Sequence, residues 1–355
     1  GIQARRLLNS LSVGNVFLMP DVALDLLTND RYGMGKYIVD EMIDLASFEE
    51  AAQWCSDRAY YFNGAIAEQT NLRQYIADIA ASYLLYFAEI NGQYVLKPLL
   101  PVSGSSFVAA DIKGLFTAGN IIEGSYKMSY LDPEDREPIQ ISVTYREERN
   151  FDDANNNGGF PVNREVLVKE SSASYAPLTT ETLDMSGYCT TREHAIDAAK
   201  FLIRMKRIPE HIIQFTTTYE AFVASFGPGD YIKVAMDTNV YDEFNNGVVT
   251  DSGALVSTKA YADGTHSVYA WDPNSGVDPA AATLTVSNGG KTATPTGIVF
   301  TEIISSQAGS TYQVERIVPG ENGTFKIDAV HMPVNSSGVP LVADGFDTAS
   351  NWTIV

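Results

Sequence analysis

The residue types able to do chemistry are few and scattered. Four histidines, His194, His211, His266 and His331, show no H-x-x-x-H or Cys-His spacing, and no two fall on one expected helix. That pattern supplies no zinc site. His194, near a helix start, and His211, at a strand edge, read as partly exposed polar positions. Cys55 and Cys189, 134 positions apart, make neither a metal knuckle nor a disulfide framework. Cys55 lies on the stripe Phe48, Ala51, Ala52, Cys55 and reads as a packed core thiol. The serine clusters Gly104-Ser105-Ser106 and Ser336-Ser337-Gly338 lack the G-x-S-x-G elbow spacing. GNIIEGS has neither the spacing nor the lysine of a phosphate loop.

Carboxylates are plentiful, with 44 Asp and Glu, so a glycosidase is the natural enzyme alternative, because two suitably spaced carboxyl groups suffice for it. Glu147, Glu148, Asp152 and Asp153 sit beside a turn and read as a solvated edge. Trp271 with nearby Tyr269 would be the sugar platform of such an enzyme; the competing reading of Trp271 is a strand-end core residue. Asp153-Ala-Asn155-Asn-Asn157-Gly158 begins like a calcium loop, D-x-N-x-N-G, yet its twelfth position is Arg164, and Glu165 misses by one. The segment reads as an Asn-Gly loop, with calcium left as the open alternative. The expected catalytic, cofactor-binding and metal sets are therefore empty, and no enzyme activity is expected.

At 355 residues the chain is too long for one ordinary core, and its 45% apolar content, 19 Tyr and 16 Phe supply material for several. A formal charge of -20 argues against a phosphate-gripping protein, because nucleic-acid affinity comes from Lys and Arg displacing counterions. No run approaches the ~20 apolar residues of a membrane helix, and no signal peptide is visible. The chain begins at Gly1, which fits a processed product or a segment of something longer.

The elements that must position these residues are well punctuated at the centre. Thr190 and Glu193 have capping-box spacing ahead of a helix over 190–207, with Ala195, Ile196, Ala199, Leu202 and Ile203 on one apolar stripe. Arg204, Lys206 and Arg207 stand where the carbonyl end of a helix favours cations, and Pro209 stops it. His211–Tyr219 and Tyr231–Met236 read as strands joined through the Pro228-Gly229-Asp230 turn, so the helix is expected to cover the sheet that follows it.

Upstream, Asp21 is placed to cap a helix VALDLL, and Ser47 with Glu50 forms a second capping box. A third helix carries Leu72, Ile76, Ile79, Ala80, Tyr83, Leu84 and Phe87 on one face over about four turns. It runs into a hairpin closed at Asn91-Gly92, where a type I′ turn is expected. Leu100–Asn120 reads as a connection. Ser125–Tyr130, Ile139–Tyr145 and Glu165–Glu170 read as strands. After Met236, short β runs (GVVT, ALVSTKAYA, HSVYAW, ATLTVS, GIVFTEI, TYQVERIV, TFKIDAVHM) are spaced like an all-β barrel or sandwich. The fold class is α+β, β-rich and multidomain: a helical region over 1–100 ending in a hairpin, a β domain with one packed helix over 101–236, and an all-β domain over 237–355.

Four strings, in this order, resemble the hub proteins at the tip of phage tails, the lambda-type tip attachment (host-specificity) family related to baseplate hubs. They are LDLLTNDRYGMGKYI; YFNGAIAEQTNLRQYIADIAASYLLYFAEINGQYVLKP; NIIEGSYKMSYLD followed by IQISVTYRE; and the central helix with FTTTYEAFVASFGPGDYIKV. YQVERIVPGENGTFKIDAVHMP is similar to closing strands that such proteins place before downstream modules. The resemblance implies a homotrimer whose tube-like β-barrel domains form a ring at the virion's tail tip. Such a ring bears on the tail tube or a distal tail protein ring and on the tape measure end, and lets DNA pass without specific binding. Long members continue into receptor-reading modules, whereas this chain stops at Trp352-Thr-Ile-Val, so direct receptor binding is not expected of it.

Overall fold

The computed structural model describes all but residues 1–2, 10, 16, 66–70, 91, 148–160, 172–175, 178, 219–225, 237–244 and 304–308. Four α-helices occur among the described residues: α1 (Met19–Thr28), α2 (Leu45–Asp57), α3 (Leu72–Ser82) and α4 (Arg192–Arg207). The strands, in chain order, begin with β1 (Gln3–Arg5), β2 (Val13–Asn15), β3 (Leu85–Ile90), β4 (Gln93–Pro98), β5 (Val102–Ser103), β6 (Ser106–Phe107) and β7 (Ile112–Thr117). They continue with β8 (Lys127–Tyr130), β9 (Ile139–Glu147), β10 (Val162–Glu170), β11 (Thr179–Asp184), β12 (His211–Thr218), β13 (Tyr231–Ala235), β14 (Asn246–Val249) and β15 (Leu255–Ser257). The last are β16 (Gly264–Trp271), β17 (Ala280–Ser287), β18 (Thr292–Thr294), β19 (Ile298–Glu302), β20 (Ser310–Pro319), β21 (Thr324–His331) and β22 (Trp352–Ile354).

The chain forms two compact units, and neither is a single span. One comprises Gly1–Ala109, Pro133–Ile208 and Val342–Val355; the other comprises Ala110–Asp132 and Pro209–Leu341. The three consecutive domains expected from sequence, over 1–100, 101–236 and 237–355, divide the chain differently. The physical reason is strand pairing: β20 and β21 return to β13 and β12 instead of joining the sheet that precedes them in sequence.

In the first unit, α2 and α3 pack on the β3–β4 hairpin and α1 packs on those two helices; the hairpin pairs Ile90 with Gln93, and Asn91 of the expected type I′ turn lies outside the described residues. α3 ends earlier than its apolar periodicity implies, because Leu84 takes φ +58° and the chain turns into β3. The caps differ from the sequence reading. Asp44, not Ser47, caps α2, accepting from the Ser47 N–H at 3.4 Å, and Asp21 lies inside the first turn of α1, accepting the Leu7 N–H at 2.8 Å. The string LDLLTNDRYGMGKYI has a local cause. A Cβ on Gly33 would stand 2.3 Å from the Leu26 carbonyl oxygen, and one on Gly35 would stand 2.2 Å from that of Thr28, so only glycine lets the chain turn back against the end of α1.

The same unit holds a four-stranded sheet in the order β11-β9-β10-β22. β9 and β10 are antiparallel with Val143 opposite Val166, and β11 runs parallel to β9. α4 covers this sheet through Ala195, Ile196, Ala199 and Ile203, which meet Ile139, Ile141, Val143, Val166 and Val168. The helix therefore covers the strands that precede it, whereas the sequence pointed to those that follow. Leu202, expected on the stripe, is 36% exposed. Thr191 occupies the N-cap without a side-chain bond, while the Thr190 hydroxyl accepts from Asn63 Nδ2.

The second unit holds no α-helix among its described residues. One six-stranded sheet runs β7-β13-β20-β21-β12-β8, barrel-like and nearly closed; its two edge strands are consecutive in sequence, joined by residues 118–126. A second runs β15-β14-β19-β16-β17-β18. Phe116 packs with Phe215, Phe226 and Trp271 in a core that draws on both sheets. Gly247 in β14 is fixed by close approach, since a Cβ there would lie 2.0 Å from the Val256 carbonyl oxygen. No helix of the described residues is long and apolar enough to cross a membrane.

Candidate functional site

Most residues marked from sequence are structural. His194 is buried on α4; its Nε2–H reaches the Ser82 carbonyl at 2.9 Å and its ring stacks on Tyr60 at 4.4 Å. Burial drops its pKa to about 4. The expectation of partial exposure fails for His194 and also for His211, 7% exposed, because both rings sit against aromatic neighbours in packed interiors. Cys55 and Cys189 are buried thiols. Burial raises both, Cys189 to about 11, so neither is primed as a nucleophile. His266 is tied to the Ala262 carbonyl at 2.9 Å.

Of the glycosidase candidates, only Glu147 falls among the described residues. Glu147 is bound by Arg164 Nε at 2.8 Å, and Glu165 accepts from the Ser142 hydroxyl. Glu148, Asp152, Asp153 and the whole Asp153–Gly158 loop lie outside the described residues. Trp271 is 2% exposed, a strand-end core residue 5.8 Å from Phe116, and the Tyr269 hydroxyl donates to the Pro279 carbonyl at 2.8 Å. Neither offers a sugar platform.

The structure gathers a different set on the curled sheet. Residues of β12 alternate, with His211, Ile213, Phe215 and Thr217 buried and Ile212, Gln214, Thr216 and Thr218 facing outward. Cross-strand register aligns Lys127, Gln214, Asp328 and Arg316 in one outward row over β8, β12, β21 and β20. Gln214 Nε2 donates to Asp328 at 2.7 Å, and Arg316 grips the other carboxylate oxygen at 2.6 and 2.9 Å. The ladder slips between Val314 and Arg316, so Glu315 is the extra residue of a bulge beside this row. A groove of about 320 Å³ results, lined by these side chains with Ser129 and Ile212.

Burial raises the Glu315 carboxyl, helped by the charge of Asp328. For Asp328 burial acts the same way, but the hydrogen bonds from Arg316 and Gln214 outweigh it and hold the group below its usual range. Both Asp328 oxygens are thereby engaged, which suits a fixed recognition surface better than a nucleophile. A second cleft, of about 450 Å³, is lined by Asn120, Thr218, Val248, Asp251, Asn274 and Gly297 among others, with Asp251 its one titratable side chain.

On the sheet's other face, one row across the same four strands reads Tyr130, exposed at the edge, then His211, His331 and Tyr312. His211 and His331 stack with centroids 4.3 Å apart, and Glu210 places a carboxylate oxygen with their ring nitrogens inside a 4.8 Å cluster. Sequence spacing could not find this group, because the two histidines are 120 positions apart and meet only through strand register.

No protein-family model matches the chain, and no curated protein does. Among solved structures, similarity is found to a chain of the virion of a native gene transfer agent particle, at TM-score 0.37 and 12% identity over 75% of this chain and 40% of that one. The tail protein from Neisseria meningitidis MC58 aligns at TM-score 0.32 and 12% identity over 81% and 59%. The 43 kDa tail protein of prophage MuSo2 from Shewanella oneidensis aligns at 0.30 and 10% over 66% and 56%. The chain thus spans less than two thirds of each, and overlap at this level carries no function across.

Proposed function

We propose that this protein is a structural component of a phage tail tip: a central hub whose copies form a trimeric ring joining the tail tube to the distal tip and leaving a passage for DNA. The observation that carries the reading is the six-stranded sheet β7-β13-β20-β21-β12-β8. Its edge strands β7 and β8 are consecutive in sequence, and it keeps an outward face of fixed charges and amides. A wall segment of a ring needs such a sheet, apolar on one face and polar on the other. The sequence strings that resemble tail hubs fall on its members β8, β12, β13, β20 and β21, and also on α1, α3, the β3–β4 hairpin, β9 and α4 of the other unit.

In this reading the partners are two further copies, the tail tube or a distal tail ring, and the end of the tape measure. The net charge of -20 favours an acidic passage, in which DNA meets like charge and slides without sticking. Native mass spectrometry of the chain, free or with its ring partner, tests the proposal: a trimer is expected, and a stable dimer would overturn it. The alternative reading, a carbohydrate-binding or cell-wall-degrading tail enzyme, would use Glu315 as its acid, since burial raises that carboxyl, but would find both Asp328 oxygens already engaged by Gln214 and Arg316. Release of reducing ends from host polysaccharide, abolished in Glu315→Gln, would establish that alternative.

A further inference from the structure

We propose that Glu210, His211 and His331 form a binding site for a divalent transition metal, zinc being the best fit, that staples β12 to β21. The three side chains present two imidazoles and one carboxylate with ligand atoms within 4.8 Å of one another. A tetrahedral ion with bonds near 2.0–2.1 Å needs ligand atoms about 3.3 Å apart, so a contraction of up to about 1.5 Å completes the set. Two nitrogens and one oxygen select zinc, cobalt or nickel over calcium and magnesium, which take oxygen.

The neighbours fit a ligand role. His211 Nε2 stands 3.0 Å from the Tyr312 hydroxyl, which is also hydrogen-bonded to Tyr126. With the Tyr312 proton directed to Tyr126, that oxygen accepts from His211 Nε2–H, and the lone pair of the ring resides on Nδ1. A ligating histidine held through its other nitrogen is the usual outer-shell arrangement, and it sets the tautomer before the ion arrives. The stacked rings, 17° from parallel, do not yet share a metal, because an ion must lie in the plane of each. His331 is the less enclosed of the two, and rotation of its ring out of the stack converges the lone pairs. Glu210 is exposed and can swing to close the third position, leaving a fourth for water.

The ion would tie the first residue of β12, just past the boundary between the two units at Ile208 and Pro209, to the last residue of β21. Its consequence is local: it fixes the end of two adjacent strands in the curled sheet, whatever the assembly around it.

The test is titration of the tag-free full chain with cobalt(II), followed by displacement with zinc. The expected result is one equivalent giving the intense visible band of tetrahedral cobalt, lost on adding zinc, together with a zinc-dependent rise in melting temperature. His331→Gln and Glu210→Ala should abolish or strongly weaken the band while melting like the parent in chelator. Tyr312→Phe should weaken affinity about 10–100-fold by freeing the His211 ring. No band in the parent at millimolar cobalt would overturn the proposal, and so would a band of equal strength in His331→Gln.

Discussion

His194 shows how a polar residue is kept inside this protein: its ring is enclosed by Tyr60 and Tyr83, and its one outward bond goes to the Ser82 carbonyl. Burial outweighs that bond, which favours the charged form, and depresses the folded pKa to about 4, against about 6.5 when unfolded. Between those values the unfolded chain binds the extra proton, so stability is full above pH ~6.5 and falls as pH drops through ~4. The loss amounts to at most about 3 kcal/mol. Urea midpoints measured across this window should fall with acid in the parent, and His194→Gln should flatten that part of the curve. Ile203 tests the opposite chemistry. It is fully buried between α4 and the β9–β10 face, and Ile203→Asp places an unpaired carboxylate there, at a cost of several kcal/mol. Loss of the cooperative unfolding transition is the expected readout; a soluble, cooperatively melting Ile203→Asp would mean that α4 does not cover this sheet.

At the scale of elements, α4 holds more than a sheet. Its second face carries Asp197, Lys200 and Arg204, and these fasten the segment Val342–Val355. Lys200 lies over Phe346 and Trp352, and Arg204 lies over Trp352 at 5.1 Å while pairing with Glu170 at 3.2 Å. Arg58 completes the clasp: it grips Asp347 at 2.7 and 2.9 Å, stands 3.5 Å from Asp197, and rests on Trp54 and Phe107 at about 5 Å. Arg58→Met should cost about 2 kcal/mol, since Asp197 keeps Lys200 and Tyr60. Amide exchange in β22 should accelerate before that in β9, and equal protection of the two strands would show that Arg58 is not what fastens the segment. Sequence made the helices and the Asn91-Gly92 hairpin legible because periodicity and turn chemistry are local. It hid what depends on long-range register. β11, read TTETLD, has no apolar alternation to announce it, and β7 is masked by its Gly-, Ser- and Ala-rich surroundings. Nothing near Ile203 says which sheet it will meet, and the approach of His211 to His331 follows only from the pairing of β12 with β21.

For the whole molecule, charge sets the terms of assembly. Each copy carries a formal -20, so the threefold ring proposed above would concentrate a large like charge around one axis. Repulsion of that kind is long-ranged and is screened once the Debye length shrinks to about 8 Å at physiological salt. The apolar and hydrogen-bonded contacts that would hold the ring are short-ranged and far less sensitive to salt. If copies associate through such contacts against their net charge, the trimer fraction at fixed concentration should rise as salt increases from ~20 to ~300 mM and then level off. Sedimentation velocity across that range measures it directly. A trimer that dissociates with added salt would point instead to an interface built on complementary ion pairs, with the row of Lys127, Asp328 and Arg316 as its first suspect. Arg316→Gln separates the two cases: it should leave a screening-limited trimer as salt-dependent as the parent, and should weaken an ion-paired one most strongly at low salt.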